Sequence, residues 1–296
     1  MRTEWIVTAE DVGEKLVSFL KRGLQQKCSL EFSLKRLKSF IDAGYCRLNA
    51  RKERFHHTRL CSQDHVELVI PEIVQNNTGT LLPTVVFEDD DIVIYNKTAG
   101  SVCNEKLEKL LRALLVHRLD KETTGLLVCA KNEKTRDYFF EQFRKRQVKK
   151  EYIALVHGSM KKDHGSIKNY LAPIQKFQGT TVYGVTDDEN GAVFAHTDWE
   201  CIQRGEKVTF VRLFPHTGRT HQLRVHLCSL GHPIVGDAIY GKEEMDMVAS
   251  RQLLHAEKLS FFHPITKKRV EVIAPMPDDF SRALQKTMKG CTSVSL

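Results

Sequence analysis

Leu16, Phe19, Leu20 and Leu24 recur at the spacing of one helical face, behind an Asp11/Glu14 pair with capping-box spacing, so a first helix is expected there. A second is expected to open near Ser33, with Leu34, Leu37 and Ile41 on one face and Lys35, Arg36 and Lys38 off it, and to stop at Gly44. Cys46 and Leu48 then alternate with Tyr45, Arg47 and Asn49 as in a half-buried strand, and HVELVIP, residues 65–71, closes the unit. The stretch from Ile73 to Pro83 is polar and punctuated by glycine and proline, the composition of a linker. The pattern divides the chain into a domain over 1–72, a linker over 73–83 and a second domain over 84–290.

In the second domain VVFEDDDIVIYNK (85–97) reads as two strands around an acidic turn, and GLLVCAK (125–131) as a buried strand. Asn132 to Lys150 reads as a helix with Tyr138, Phe139 and Phe143 inward, and EYIALVHG (151–158) as a strand. Residues 170–215 carry strand signals and turns such as DDENG, which predicts a run of short strands. No period of 20 to 50 residues recurs, so repeat architectures are excluded and the expected class is α+β with a mixed sheet.

Composition narrows the class. No apolar run approaches the roughly 18 residues of a membrane span, and the first residues, MRTEWIVTAEDVGEKL, are acidic without the apolar core of a secretory signal. The eight cysteines form no C-x-x-C pair and several lie in apolar runs, as expected of free thiols in a reducing cytoplasm. No metal is expected at them. Phosphate-loop, dinucleotide and zincin motifs do not occur, which removes the usual nucleotide cofactors. His216, His221 and His226 are spaced in fives, too far apart around a helix to converge on a metal.

The net charge of +8 is concentrated. Between Ser33 and Arg59 stand Lys35, Arg36, Lys38, Arg47, Arg51, Lys52, Arg54 and Arg59 against Asp42 and Glu53, the footprint of a polyanion partner. Two short helices feeding a basic hairpin, over about residues 10–70, resemble an S4 domain, a small RNA-binding module. Leu48-Asn49-Ala50 and Gln63-Asp64 stand where such modules often carry V-N-G and G-D.

His117-Arg118-Leu119-Asp120 with Thr123-Thr124-Gly125, then Lys150-Glu151-Tyr152, then Thr217 to Gln222 running into L-R-V-H and GHPIVGDAIYG, resemble the RluA family of pseudouridine synthases. Asn96-Lys97, RQLLHA at 251–256 and FFHPIT ending in APMP extend the match in order over about residues 84–278. Lys97-Thr98 departs from it, since proline usually follows that lysine, and the segment from Gly100 to His117 is short.

The resemblance implies a mainly antiparallel catalytic domain with a central cleft, preceded by the S4-like domain. It assigns Asp120 as the carboxylate that acts on the ribose, Arg219 as the guanidinium that keeps Asp120 charged, and Tyr152 as the ring against the target base, with a part in removing the C5 proton. Arg118 is expected on RNA backbone, or as a rearranging lid contact, rather than as a catalyst. Large-subunit (23S) ribosomal RNA is the favoured substrate, with tRNA second, and the enzyme is expected to be a cytoplasmic, cofactor-free monomer. The alternatives are a non-catalytic RNA-binding or ribosome-assembly factor, and a metal-dependent nuclease built on Glu88 to Asp91.

Overall fold

The computed structural model describes residues 2–28, 32, 34–42, 44–53, 55–69, 83–177, 180–187, 189–241 and 249–288. They form two compact units, Met1–Leu81 and Leu82–Leu296. The expected linker lies, but for Pro83, outside the described residues.

In the amino-terminal unit four antiparallel strands stand in the order β1-β4-β2-β3, with β1 at Arg2–Ile6, β2 at Cys46–Leu48, β3 at Arg51–Glu53 and β4 at His65–Val69. Two helices, α1 (Leu16–Cys28) and α2 (Leu34–Asp42), bury Leu16, Leu20, Leu24, Leu37 and Ile41 against Cys46, Val66 and Leu68 of the sheet. Strand β1 was not foreseen, because its inward positions are only Thr3 and Trp5, too few apolar residues to show as alternation. The capping box also falls earlier than expected. Asp11 Oδ2 accepts from the Thr8 backbone N–H (3.0 Å) and hydroxyl (2.7 Å) around a short 3₁₀ turn, and Asp11 and Glu14 both accept from Arg22 of α1.

The outer face of this sheet sorts the basic residues. Register places Glu4, Glu67, Arg47 and Lys52 in one cross-strand row. Buried Glu67 is 2.9 Å from Arg2 and 4.0 Å from Arg47, so Arg47 is partly answered within the fold, whereas Arg51 and Lys52 lie exposed on β3 at the sheet edge. Lys38 is half-buried on α2; Arg54 and the side chains of Lys35 and Arg36 lie outside the described residues.

The carboxy-terminal unit is built on one large sheet. In chain order its strands are β5 (Thr84–Glu88), β6 (Ile92–Lys97), β7 (Leu114–Leu115), β8 (Thr124–Ala130), β9 (Lys149–His157), β10 (His164–Phe177), β11 (Thr180–Thr186), β12 (Val193–Arg204), β13 (Val208–Pro215), β14 (Leu254–Phe262) and β15 (Arg269–Ile273). Across the sheet they run β11-β10-β12-β13-β9-β14-β8-β6-β5, with β15 added to β14 and β7 to β8. Among the described residues only β8 and β14 pair in parallel, so the sheet is mixed and mainly antiparallel. The helices are α3 (Glu105–Leu111), α4 (Glu133–Arg144), α5 (Gln222–Ser229) and α6 (Asp278–Thr287). Strand β9 is apolar from Tyr152 to Val156 because both its faces are covered there: Tyr152, Ala154 and Val156 enter one core, Ile153 and Leu155 another.

Two expectations for this unit are corrected. Helix α4 ends at Arg144, since Arg146 adopts a left-handed backbone (φ 56°) and Lys149 and Lys150 already belong to β9. Residues 170–215 contain long strands, β10 and β12 having 14 and 12 residues. Pro173 falls where β10 has left β12 behind at Leu171 and pairs only with β11, at a bulge that tolerates a residue without an N–H.

The acidic turn between β5 and β6 is occupied by structural bonds. Asp89 accepts from the backbone N–H groups of Asp91 and Ile92 and meets His263 at 2.7 Å, and Glu88 pairs with Lys131. Among the described residues Cys46, Cys61, Cys103, Cys129, Cys201 and Cys228 are free thiols, and burial pushes Cys46 up to about 12, as for a packed hydrophobe. No helix among them is long and apolar enough to cross a membrane.

The β2–β3 turn places Asn49 and Ala50 both at positive φ, 50° and 66°. Asn49 recovers the cost through bonds to Asp64 and the His65 N–H, each 2.8 Å, but Ala50 gains nothing from a side chain. Ala50→Gly is therefore expected to stabilise the amino-terminal unit by about 1 kcal/mol, read as a higher urea midpoint at unchanged slope; an unchanged or lower midpoint would show that the turn carries no strain.

Candidate active site

Asp120 lies in the loop that enters β8. Strand β7 folds back on the far end of β8, pairing Leu115 with Cys129, and the intervening segment is tied down along its length. His117 Nε2 accepts from the Val128 N–H (3.0 Å), and the Asp120 carbonyl accepts from the Thr123 N–H (3.1 Å) in a turn. Beneath the turn Lys97 is fully buried and its ammonium donates to the carbonyls of Thr98, Ser101 and Lys121 at 2.9–3.0 Å. Burial draws its pKa down to about 8, which leaves it mostly protonated at neutral pH.

The segment leading into β14 holds the other side of the loop. Arg251 donates to the Glu122 carbonyl, Gln252 to the Thr123 hydroxyl, and His255 Nδ1 lies 2.9 Å from the Thr124 hydroxyl. Gly125 permits this approach: its φ is +110°, and a Cβ there would stand 2.3 Å from the Ala256 carbonyl oxygen. Asp120 therefore sits on a loop held from both sides.

Helix α5 brings the positive charge. Arg224 is buried, and its Nε and Nη2 grip both oxygens of Asp237 at 2.7 and 2.8 Å. Its remaining Nη1 donates to Asp120 Oδ2 at 3.2 Å. The Asp237 side chain is fully buried and also accepts from the N–H groups of Ile239 and Tyr240, while the Asp120 side chain keeps 19% of its surface exposed. One carboxylate is thus spent inside the protein and the other is presented. Asp120 Oδ1 has no partner among the described residues.

The guanidinium beside Asp120 is consequently Arg224, not Arg219. Arg219 lines the same cavity but is exposed, and its Nε donates to the Phe194 carbonyl at 2.9 Å. The loop's own bonding explains the exchange. Gln222 accepts from the Thr217 hydroxyl and the Arg219 N–H and donates to the His196 carbonyl and Thr197 hydroxyl, which turns the loop outward before α5 begins. The capping position of the helix is His221, in a left-handed conformation.

A cavity of about 100 Å³ opens on Asp120, with Leu119, Tyr152, Leu223, Arg224 and Leu254 among its walls. Tyr152 is buried on β9 between Leu213 and Ala256. Burial, and then the charge of Asp120, raise its pKa well above that of free tyrosine, so it stands as a neutral phenol. Leu119, Leu223 and Leu254 give it apolar surface, Tyr152 an aromatic wall, and Asp120 is the carboxylate among lining residues that also include Arg118, Lys150, Arg219 and Arg224. Such a pocket suits a flat, neutral ring beside an electrophilic or acidic carbon.

The family profile for RNA pseudouridylate synthase matches residues 91–229, which include Asp120, Tyr152 and Arg224. The chain is 33% identical over 288 residues to a Haemophilus influenzae protein named ribosomal large subunit pseudouridine synthase D, covering 86% of each. It is 38% identical over 199 residues to a Vibrio parahaemolyticus dual-specificity RNA pseudouridine synthase RluA, covering 61% of this chain and 78% of that one. Among solved structures, human RNA pseudouridylate synthase domain containing 1 superimposes with a TM-score of 0.60 at 29% identity, over 72% of this chain and 89% of that one. The chain belongs to the RNA pseudouridylate synthase family.

For a pseudouridine synthase the cavity is chemically economical, since isomerisation keeps the detached base and admits no water as reactant. Arg224, Asp237, Lys97 and Gln222 were missed as site residues. Arg224 carried a signal, being an arginine in a helix whose neighbours Leu223, Val225 and Leu227 are apolar, where a buried charge demands a partner. Asp237, in the GDAIYG segment, is that partner, but its distance from Arg224 is set by the fold.

Removing Asp237 strands a buried guanidinium. Asp237→Ala is expected to destabilise the carboxy-terminal unit by about 3–5 kcal/mol, and the double change Arg224→Met with Asp237→Leu by less than that single change. Denaturant midpoints of the two variants check this, and an Asp237→Ala midpoint equal to wild type would contradict the assigned pairing.

Proposed function

We propose that this enzyme converts uridine to pseudouridine in large-subunit ribosomal RNA, with Asp120 as the catalytic carboxylate. The observation that carries the assignment of Asp120 is its presented carboxyl at the cavity, 3.2 Å from an arginine whose other nitrogens are locked on Asp237. The carboxylate acts on the ribose, as nucleophile at C1′ or as base on a sugar proton. The C1′–N1 bond breaks, the uracil turns, C5 joins C1′, and the C5 proton leaves as N1 gains one. Nothing is added or lost overall, so no cofactor is called for. Tyr152, neutral and flat, supplies the surface that replaces the stacking lost when the uridine leaves its helix.

Ribosomal RNA is favoured over tRNA because relatives named ribosomal large subunit pseudouridine synthases include both long matches to this chain and matches no longer than its carboxy-terminal unit. A match over 86% of the chain must enter the amino-terminal unit, because Leu82–Leu296 is less than three-quarters of it. The match to the dual-specificity relative needs only the carboxy-terminal unit. The amino-terminal unit is then the S4-like RNA-binding domain, with Arg51 and Lys52 as its exposed cations, and Arg118 and Arg219, both exposed at the cavity, meet the RNA backbone. The free thiols, of which Cys46, Cys129 and Cys201 are buried, suit a reducing cytoplasm.

Asp120→Asn is expected to fold and bind RNA but to lower the rate by more than about 10³-fold. Pseudouridine mapping of ribosomal RNA and tRNA from cells carrying wild type or Asp120→Asn reads this and identifies the substrate; equal modification in both strains would end the proposal. Reversing Arg51 and Lys52 to glutamate is expected to weaken RNA binding and to lower the salt slope by about 0.9 for each phosphate that is no longer neutralised, with single-turnover chemistry unchanged. Equal affinity across a salt series would show that this edge does not face RNA.

A further inference from the structure

A second cavity, of about 310 Å³, adjoins that of Asp120, within the roughly 300–1,000 Å³ typical of ligand sites. The two share Arg118, Lys150, Tyr152, Pro215, Thr217 and Gly218, so Lys150 and the loop after β13 form the partition between them. One side of the second cavity is apolar and aromatic. Phe143 lies 5.4 Å from the His117 ring, with Val148 beside them. Burial and then the charge of Lys150 bring His117 down to about 3, and its Nε2 accepts from Val128, so this histidine is an uncharged ring. The rim is cationic, with Arg118, Arg146, Lys149 and Lys150, and no carboxylate is among the lining residues.

Lys150 is the informative member. It is half-buried, and its ammonium has no hydrogen-bond or ion-pair partner among the described residues. Burial alone draws its pKa to about 8. Its Nζ stands 3.5 Å from the point where a side chain on Gly218 would begin, and the missing side chain leaves room over the ammonium. A partly desolvated cation without an anion calls for a ligand that brings one. An aromatic wall next to such a cation is the combination that binds a nucleotide, its base on the rings and its phosphate on the ammonium.

We propose that the second cavity receives the nucleotide adjacent in the strand to the target uridine, and that the phosphate joining the two nucleotides rests on Lys150 above Gly218. This rests on the reading that the Asp120 cavity takes the uridine. It implies that two consecutive nucleotides leave the stack together, so that recognition extends to an unpaired neighbour.

The test uses the full chain and short RNA stem-loops containing a mapped target uridine, with each linkage near it replaced singly by an uncharged methylphosphonate. For wild type, one of the two linkages flanking the uridine is expected to raise KM at least about 10-fold, and Lys150→Met to do the same and reduce the salt slope by about 1. Combining the two changes adds no further loss at that linkage, whereas effects at other linkages multiply. An abasic neighbour on the same side raises KM for wild type but not for Phe143→Ala. Gly218→Val, which fills the space over the ammonium without a positive φ to strain, serves as a second variant and reproduces Lys150→Met. Multiplying effects at both flanking linkages, or an abasic neighbour that reacts normally, would overturn the inference. If Asp120→Asn is inactive and these couplings are absent, only the neighbouring subsite falls; an active Asp120→Asn removes the underlying reading instead.

Discussion

Arg224 sits between two carboxylates of opposite fate, and the active site depends on that arrangement. A buried guanidinium is costly unless its hydrogen bonds are satisfied. Asp237 satisfies two of them in a bidentate grip and is itself held by two backbone N–H groups. With the arginine immobilised, its third nitrogen fixes Asp120 from one side while the cavity leaves the carboxylate open on the other. A flexible lysine could supply the charge but not the planar fork that bridges both acids.

The second constraint is the platform under Asp120. Its loop is held by the Lys97 ammonium on three carbonyls and by contacts from Arg251, Gln252 and His255. These groups lie at the one parallel pairing in the large sheet, where Gly125 lets the β8 and β14 backbones meet. The short parallel contact thus joins the Asp120 loop to a segment about 130 residues later. On the role proposed for Asp120, a rigid mount of this kind lets one carboxylate serve throughout the reaction, because the base that leaves C1′ has to be met again in nearly the same geometry.

Much of this was legible in the chain. The apolar spacing of α1 and α2, the buried strand β8 and the continuous apolar run of β9 follow from local period and burial. Asp120 and Tyr152 emerged from ordered motifs. The amino-terminal strand and the lengths of β10 and β12 did not, because Thr3 and Trp5 make a weak alternation and local turn signals do not show how far a strand keeps its partners. The β2–β3 turn keeps its shape with Ala50 in place of glycine because Asn49 bonds to Asp64 and His65, a compensation made across the sheet.

By itself the sequence determined the kinds of chemistry available: one presented aspartate, a tyrosine on a buried strand, arginines in two neighbouring positions and a basic edge. Only the tertiary structure decided which arginine serves Asp120. Arg219 and Arg224 are five residues apart, and their directions are set by Gln222, whose bonds to Thr217, Thr197 and the His196 carbonyl turn the first outward and start the helix that carries the second inward. Side-chain direction at such a junction depends on contacts far along the chain, and local periodicity carries no information about them.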